Sequence, residues 1–270
     1  MPKQGKSTSE PEASGTTLAN SRVGIVTGVG KGGLGYAIAR ELAKTGLLLI
    51  VADHPDNARS LEDVVTELAA FGTVIGVPAD VTKEEDVNRA VGEAVDRFGH
   101  LDVLVNNAGV MLRKSAFDTT LEEWDRVVRT NLTGTWLMNR AVGRRMCEQQ
   151  RGRIVNISSV YADRVGPLPE SAYYASKAGI ANLTRALAGE FGPYGVTVNC
   201  VAPGVFFPTA MTKPLQGDPA TLEMMIKRTM LGRLGDPNKD IHGIVEFLVS
   251  DSAAYITGQT IFVDGGWSAW

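Results

Sequence analysis

The sequence predicts an α/β fold, a single doubly wound domain whose parallel sheet of about seven strands is flanked by helices. Three observations carry that expectation. Short β-branched runs alternate with amphipathic stretches from Arg22 onward. A glycine-rich turn separates the first of these runs from the first amphipathic stretch. A chain of 270 residues with 44% hydrophobic and 21% charged content suits one large core.

Taken in order, residues 1–21 are rich in Ser, Thr, Pro, Glu and Gly, lack the apolar segment of a signal peptide, and read as a disordered leader. The domain then occupies residues 22–270, opening on the strand VGIV. LGYAIARELAKTG reads as a helix, LLLIVAD as the second strand, and TVIGVPAD, after a polar helix, as the third. LDVLVNNAG supplies the fourth strand, a long helix spans Leu121 to Cys147, and GRIVNIS follows as the fifth strand. A helix from about Ser171 to Phe191 leads into the strand VTVNCVAPG. Past Pro203 the alternation breaks into an irregular stretch with Phe206, Phe207, Pro208 and Pro214. Helical segments near Leu222 and Ile241 and a final strand, QTIFVDGG, complete the domain, and residues at about 205–232 read as a substrate lid.

A net charge of -3 and a pI near 5.7 offer no broad basic field, which argues against nucleic acid and for a small-molecule partner. Only Cys147 and Cys200 are present, one in an expected helix and one in an expected strand, so a cytoplasmic chain without a disulfide framework is anticipated. No apolar run is long enough to span a bilayer. His54, His100 and His242 are scattered without ligand spacing, so no metal is expected.

In TGVGKGGLGYAIA, Gly28, Gly30, Gly32, Gly33 and Gly35 lie between a strand and a helix that starts near Leu34. Glycines there permit positive φ and close backbone approach to a pyrophosphate, while a helix N-terminus supplies free amides and a favourable dipole. Asp53 ends the second strand, where a carboxylate can accept hydrogen bonds from a ribose diol and repel a 2′-phosphate. This favours NAD as cofactor. NADP stays open, because Asp53 just ahead of Pro55 can instead cap a helix and Lys31 can meet a phosphate.

Tyr173 and Lys177 are four residues apart in a helical stretch and project from one face, while Ser159 ends the strand IVNIS. Together with ADVT, NNAG, Asn131, YYASK, VAPG and VDGG, these pieces make the chain resemble the short-chain dehydrogenase/reductase family from about Arg22 to the C-terminus. The resemblance implies a Rossmann-type fold and hydride exchange between a nicotinamide and a secondary alcohol or ketone. It also implies that Asp80 and Val81 flank the adenine, that Asn106, Asn107, Ala108 and Gly109 pass by the ribose, and that Pro203, Gly204, Val205 and Thr209 reach the nicotinamide. For Asn106 and Asn107, stabilisation of a strand end is an equal alternative.

By the same resemblance Tyr173 is the acid/base, its pKa lowered by Lys177 toward working pH from a free value near ~10. Ser159 holds the substrate oxygen, and Asn131 holds a water linking Lys177 to solvent. Three loops are one residue longer than the family's usual spacing: the glycine turn, Ser159 to Tyr173, and Pro203 to Thr209. Either Gly32 or Gly33 can therefore be the middle glycine. Either Ser158 or Ser159 can be the catalytic serine, with the strand-end register favouring Ser159.

Substrate contacts are expected from Met111, Arg113, Tyr161, Arg164, Phe206 and Phe207, all on loops following strands. NAGVMLRKSAF, AMTKPL, RTMLGRLGDP and VDGGW are similar to gluconate 5-dehydrogenases and deoxy-ketogluconate dehydrogenases, which implies a sugar acid or polyol with its carboxylate on Arg113 or Arg164. A solvated surface ion pair is the alternative for either arginine, and Phe206 with Phe207 suits a more apolar ketone. A 3-oxoacyl carrier-protein reductase, with arginines from Arg126 to Arg153 meeting an acidic carrier, is a second enzyme reading. A non-catalytic dinucleotide-binding protein is the third, opposed by the intact Asn131, Ser159, Tyr173 and Lys177 set. The family implies a homotetramer through the long central helices, with Ala178 and Ala181 permitting close packing.

Overall fold

The computed structural model describes residues 21–270, so the expected leader, Ser21 apart, lies outside the described residues. Seven strands form one parallel sheet: β1 Val23–Thr27, β2 Leu48–Asp53, β3 Val74–Pro78, β4 Val103–Asn106, β5 Gly152–Ile157, β6 Val196–Pro203 and β7 Thr260–Val263. Their order is β3-β2-β1-β4-β5-β6-β7. The doubly wound domain is therefore as expected. The chain winds outward from β1 to β3 and then returns past β1 to β4, opening a crevice at the carboxyl ends of β1 and β4.

Side chains alternate across the strands, so Val26, Val51, Val105 and Val155 face one side and Ile25, Ile50, Leu104 and Ile154 the other. The first side is covered by helices α1 Leu34–Lys44, α2 Ala58–Leu68 and α8 His242–Val249. The second is covered by α3 Glu84–Phe98, α5 Gly134–Glu148 and α6 Ser171–Phe191. Both faces are apolar because both are buried, which is why the strands read as continuous hydrophobic runs.

The helix expected over Leu121 to Cys147 forms with an interruption. It comprises α4 Leu121–Val128, a wider π-turn over Arg129–Thr133, and α5. Thr120 and Glu123 make a reciprocal capping box that starts α4. Asn131 sits in the π-turn with its side chain bonded to both backbone groups of Val110, a strong lateral pull at the point where the helix widens. Hydrophobic periodicity carries no sign of a single inserted residue, so the sequence reads as one helix.

The irregular stretch after β6 contains α7 Pro219–Lys227 and is held by the Phe207 N–H on the Gly235 carbonyl at 2.9 Å. Cys147 and Cys200 lie in α5 and β6 and are unbonded to each other. Among the described residues, no helix is long and apolar enough to cross a membrane. His242 meets Glu246 at 2.7 Å near Glu41, a grouping not legible from histidine spacing; Glu41 is already paired with Arg40 and Lys44.

Candidate active site

A cavity of about 780 Å³ opens along the carboxyl ends of the strands and runs from the glycine turn to the segment after β6. Gly28, Gly30, Gly33 and Leu34 line it at one end. Gly28 has φ +71°, and a β-carbon there would lie 2.6 Å from the Ala108 Cα. The loops after β1 and β4 thus touch through backbone, and only glycine fits.

Gly33 is the residue at the start of α1 and lines the cavity, whereas Gly32, with φ +72° and open space around it, does not. The left-handed backbone of the turn thus falls at Gly32, and Gly33 is the glycine that faces the cavity. Gly35 also lies off the cavity. A β-carbon there would come 2.3 Å from the Gly28 carbonyl oxygen, so its role is to let α1 close on the turn. Asn107 reinforces the same corner, donating from Nδ2 to the carbonyls of Thr27 and Gly28 at 3.2 and 2.7 Å. Asn106 is buried, donates to Asn156 Oδ1 at 2.8 Å and does not line the cavity, a bond that ties the end of β4 to β5.

Asp53 lines the cavity at the end of β2. Its Oδ1 accepts from the His54 N–H and from Asn57 Nδ2, both at 2.8 Å, while a β-carbon on Gly30 would lie 3.9 Å from Oδ2. The cap of the turn at Pro55–Asn57 is His54, whose Nδ1 accepts from the Asp56 N–H at 3.3 Å, so Asp53 steadies the loop through one oxygen and leaves the other toward the glycine turn. Asp80, Val81, Ala108 and Gly109 continue the wall, joined by His54, Asp56 and Asn57, which no sequence motif singled out.

Ser159, Tyr173 and Lys177 meet at the other end of the cavity and all three are buried. Burial raises the Tyr173 phenol well above the ordinary tyrosine range, and its interaction with the Ser159 hydroxyl draws it part of the way back. Burial lowers the Lys177 ammonium to about 8. Its Nζ donates to the Ile157 carbonyl at 2.9 Å and stands 5.5 Å from the centre of the Tyr173 ring. Lys177 is thus not among the largest influences on Tyr173 in the chain alone, where desolvation dominates.

The two serines both line the cavity but have different partners. Ser158 donates to the Lys177 carbonyl at 2.7 Å and is spent on anchoring α6. Ser159 is the one that meets Tyr173. Asn131 is fully buried and lies behind the cavity wall. Its Oδ1 accepts from the Val110 N–H at 2.8 Å, and Nδ2 donates to Ser176 Oγ at 3.0 Å. A β-carbon on Gly109 would lie 3.2 Å from Asn131 Oδ1 and 3.7 Å from Lys177 Nζ, so this glycine separates the two without filling the space between them.

Of the expected substrate residues, Met111, Arg113, Tyr161 and Phe206 line the cavity, and Phe207 and Arg164 do not. Arg164 is exposed, paired with Asp163 and donating to the Ser268 carbonyl at 2.9 Å, and so is engaged outside the cavity. Arg113 is instead paired with the buried carboxylate of Glu170 at 2.8 Å, which the sequence reading missed. Pro203, Gly204, Val205 and Thr209 also line the cavity, with Leu215 and Met225 beside them.

Residues 28–268 match the family model described as enoyl-(acyl carrier protein) reductase. A 3-oxoacyl-[acyl-carrier-protein] reductase of Synechocystis sp. is 39% identical over 252 residues, covering 93% of this chain and 98% of that protein. A short-chain dehydrogenase/reductase of Armillaria gallica is 40% identical over 261 residues, with 93% and 97% covered. The chain belongs to the short-chain dehydrogenase/reductase family. The fold of this short-chain dehydrogenase/reductase also matches that of a provisionally assigned NAD(P)-dependent gluconate 5-dehydrogenase from Beutenbergia cavernae. The TM-score is 0.85 at 36% identity, with 94% of this chain and 99% of the other covered. As a family member the chain is an oxidoreductase that uses a nicotinamide dinucleotide on a small-molecule alcohol or ketone.

Proposed function

We propose that this short-chain dehydrogenase/reductase interconverts a secondary alcohol and a ketone, with Tyr173 passing the proton to and from the substrate oxygen. The observation that carries the reading is the buried meeting of Ser159 and Tyr173 in the same cavity as the glycine turn. Ser159 holds the substrate oxygen by a hydrogen bond, and Tyr173, kept as a neutral phenol by burial, is set to donate in the direction of carbonyl reduction. Lys177 braces α6 against β5 and supplies positive charge near the phenol, and Asn131 fixes the Val110 backbone on the far side of Gly109. A water held beside Asn131 completes the path from Lys177 to solvent.

The bare backbone at Gly28 and the Asp53 oxygen facing Gly30 fit a dinucleotide, which supplies hydride or accepts it when bound. Gly28, Gly33 and Leu34 would hold its pyrophosphate, Asp53 the ribose diol, Asp80 and Val81 the adenine. Asn107, Ala108 and Gly109 would lie along its middle, with Pro203, Gly204, Val205 and Thr209 at the nicotinamide end. Asp53 favours NAD over NADP, although the Beutenbergia cavernae structure carries NADP.

Tyr161, Phe206, Leu215 and Met225 give the substrate end an apolar wall, which suits a ketone with an apolar flank better than a sugar acid. A second reading, reduction of a 3-oxoacyl chain on an acidic carrier, is supported by the Synechocystis relative and by the exposed Arg126 and Arg129 lining the cavity. A screen of cyclohexanol, gluconate and a 3-oxoacyl thioester with both cofactors, following the reduced cofactor's absorbance, ranks these readings. Tyr173→Phe tests the mechanism: turnover falls to background while cofactor binding persists, and near-normal kcat refutes it.

Residues 205–232 serve as the lid, and the protein is a cytoplasmic tetramer assembled through α4, α5 and α6. Ala178 is exposed for that packing, whereas Ala181 faces the chain's own core beside Ile180 and Cys200. Light scattering tests the assembly, a stable monomer at micromolar concentration counting against it.

A further inference from the structure

The Glu170 side chain is 1% exposed, and its Oε1 lies 2.8 Å from Arg113 Nε on the cavity wall. Glu170 immediately precedes α6, three residues before Tyr173, and both line the cavity. Arg113 arrives from the loop after β4. That loop is also tied to the same segment by the Lys114 N–H on the Pro169 carbonyl at 2.9 Å. Two opposite charges from two elements therefore flank one phenol. The carboxylate is buried and the guanidinium only a quarter exposed, and a buried carboxylate without its partner would be strongly unfavourable.

We propose that Arg113 and Glu170 are positioning residues for Tyr173, which as an intact pair present it with nearly balanced charge and so fix the pH range in which it exchanges a proton with the substrate. The inference rests on Tyr173 being the acid/base. The other groups facing Tyr173 are Lys177 and Tyr174 on its own helix, Ser159 from the end of β5, and Tyr161 from the turn that follows. Arg228, beyond α7, stands near Tyr161 and Tyr174. Of all these, Glu170 and Arg113 form the ion pair whose halves act on Tyr173 in opposite senses, Glu170 opposing its ionisation and Arg113 favouring it.

The signs make the test. Glu170→Gln leaves the guanidinium unopposed and stabilises phenolate, so the rising limb of the kcat profile for alcohol oxidation moves to lower pH. Arg113→Met leaves the carboxylate unopposed and moves that limb to higher pH. Each displacement is expected to be about one pH unit. The double variant, with neither charge, and Arg113→Lys, with the charge kept, both return to the wild-type position. Profiles are measured on the full chain at saturating cofactor with the best alcohol of the screen, and melting by circular dichroism confirms folding. Limbs that coincide with the wild type, or that move in the same direction in both single variants, overturn the proposal when Tyr173→Phe is inactive. An active Tyr173→Phe instead overturns the reading beneath it. Where a single variant fails to fold, the double variant decides, since a displaced limb in it is incompatible with a balanced pair.

Discussion

Ser158 donates its hydroxyl to the Lys177 carbonyl at 2.7 Å, so the serine next to the proposed catalytic one is part of the scaffold that holds the lysine. Neighbouring strand-end residues have opposite duties because their side chains leave on opposite sides of the backbone. Ser158→Ala should lower thermal stability, by about 1 kcal/mol for a lost buried hydrogen bond, with the smaller effect on turnover. Ser159→Ala should reverse that ranking, lowering kcat by roughly 100-fold with little change in melting. Melting curves and steady-state rates on both variants check the assignment.

Lys177 gives a stability signature that is independent of turnover. Its ammonium is held at about 8 by burial against an ordinary value of 10.5, so between those values the folded chain binds fewer protons than the unfolded chain. Stability contributed by this group therefore rises with pH across that window, and the cost of the buried charge is felt in full below it. Denaturant melts of wild type against Lys177→Met from neutral to alkaline pH should show the wild type gaining on the variant as pH rises past about 8. A constant difference would refute the depressed value.

The sheet, its two helical layers and Ser171–Phe191 were legible because burial on both faces leaves an unbroken apolar signature in every strand. Tyr173 and Lys177 were legible for a related reason, since a four-residue spacing in a helix fixes relative direction. What was illegible depends on contacts between distant segments. Glu170 looks like any surface carboxylate until α6 brings it under Arg113, 57 residues away. Arg164, equally plausible from its loop, turns outward to Asp163 and the Ser268 carbonyl. The π-turn at Asn131 escaped because one widened turn scarcely alters a hydrophobic stripe.

The glycine turn separates conformation from contact. At Gly35 a β-carbon would lie 2.4 Å from Asn107 Nδ2 as well as against the Gly28 carbonyl, both fixed groups. Gly35→Ala should therefore spread the turn, weakening dinucleotide binding by at least about tenfold and lowering stability. Gly32→Ala meets nothing within 4 Å and should cost only backbone strain, about 1 kcal/mol for a positive φ, with affinity close to wild type. Titrations of reduced cofactor followed by fluorescence compare the two.

Asp53 is the residue on which the proposed cofactor choice turns, and its two oxygens allow the choice to be tested without losing the loop. Oδ1 is the oxygen that carries the His54 and Asn57 hydrogen bonds, so Asp53→Asn keeps an acceptor there while removing the charge that repels a 2′-phosphate. The ratio of kcat/KM for NAD to that for NADP should fall by at least about tenfold, mainly through improved use of NADP. Asp53→Ala removes that acceptor as well and should weaken binding of both cofactors through a loosened loop. A ratio unchanged in Asp53→Asn would show that the carboxylate's charge does not govern the selection, and would move the search to His54 and Asp56 on the same stretch of cavity wall.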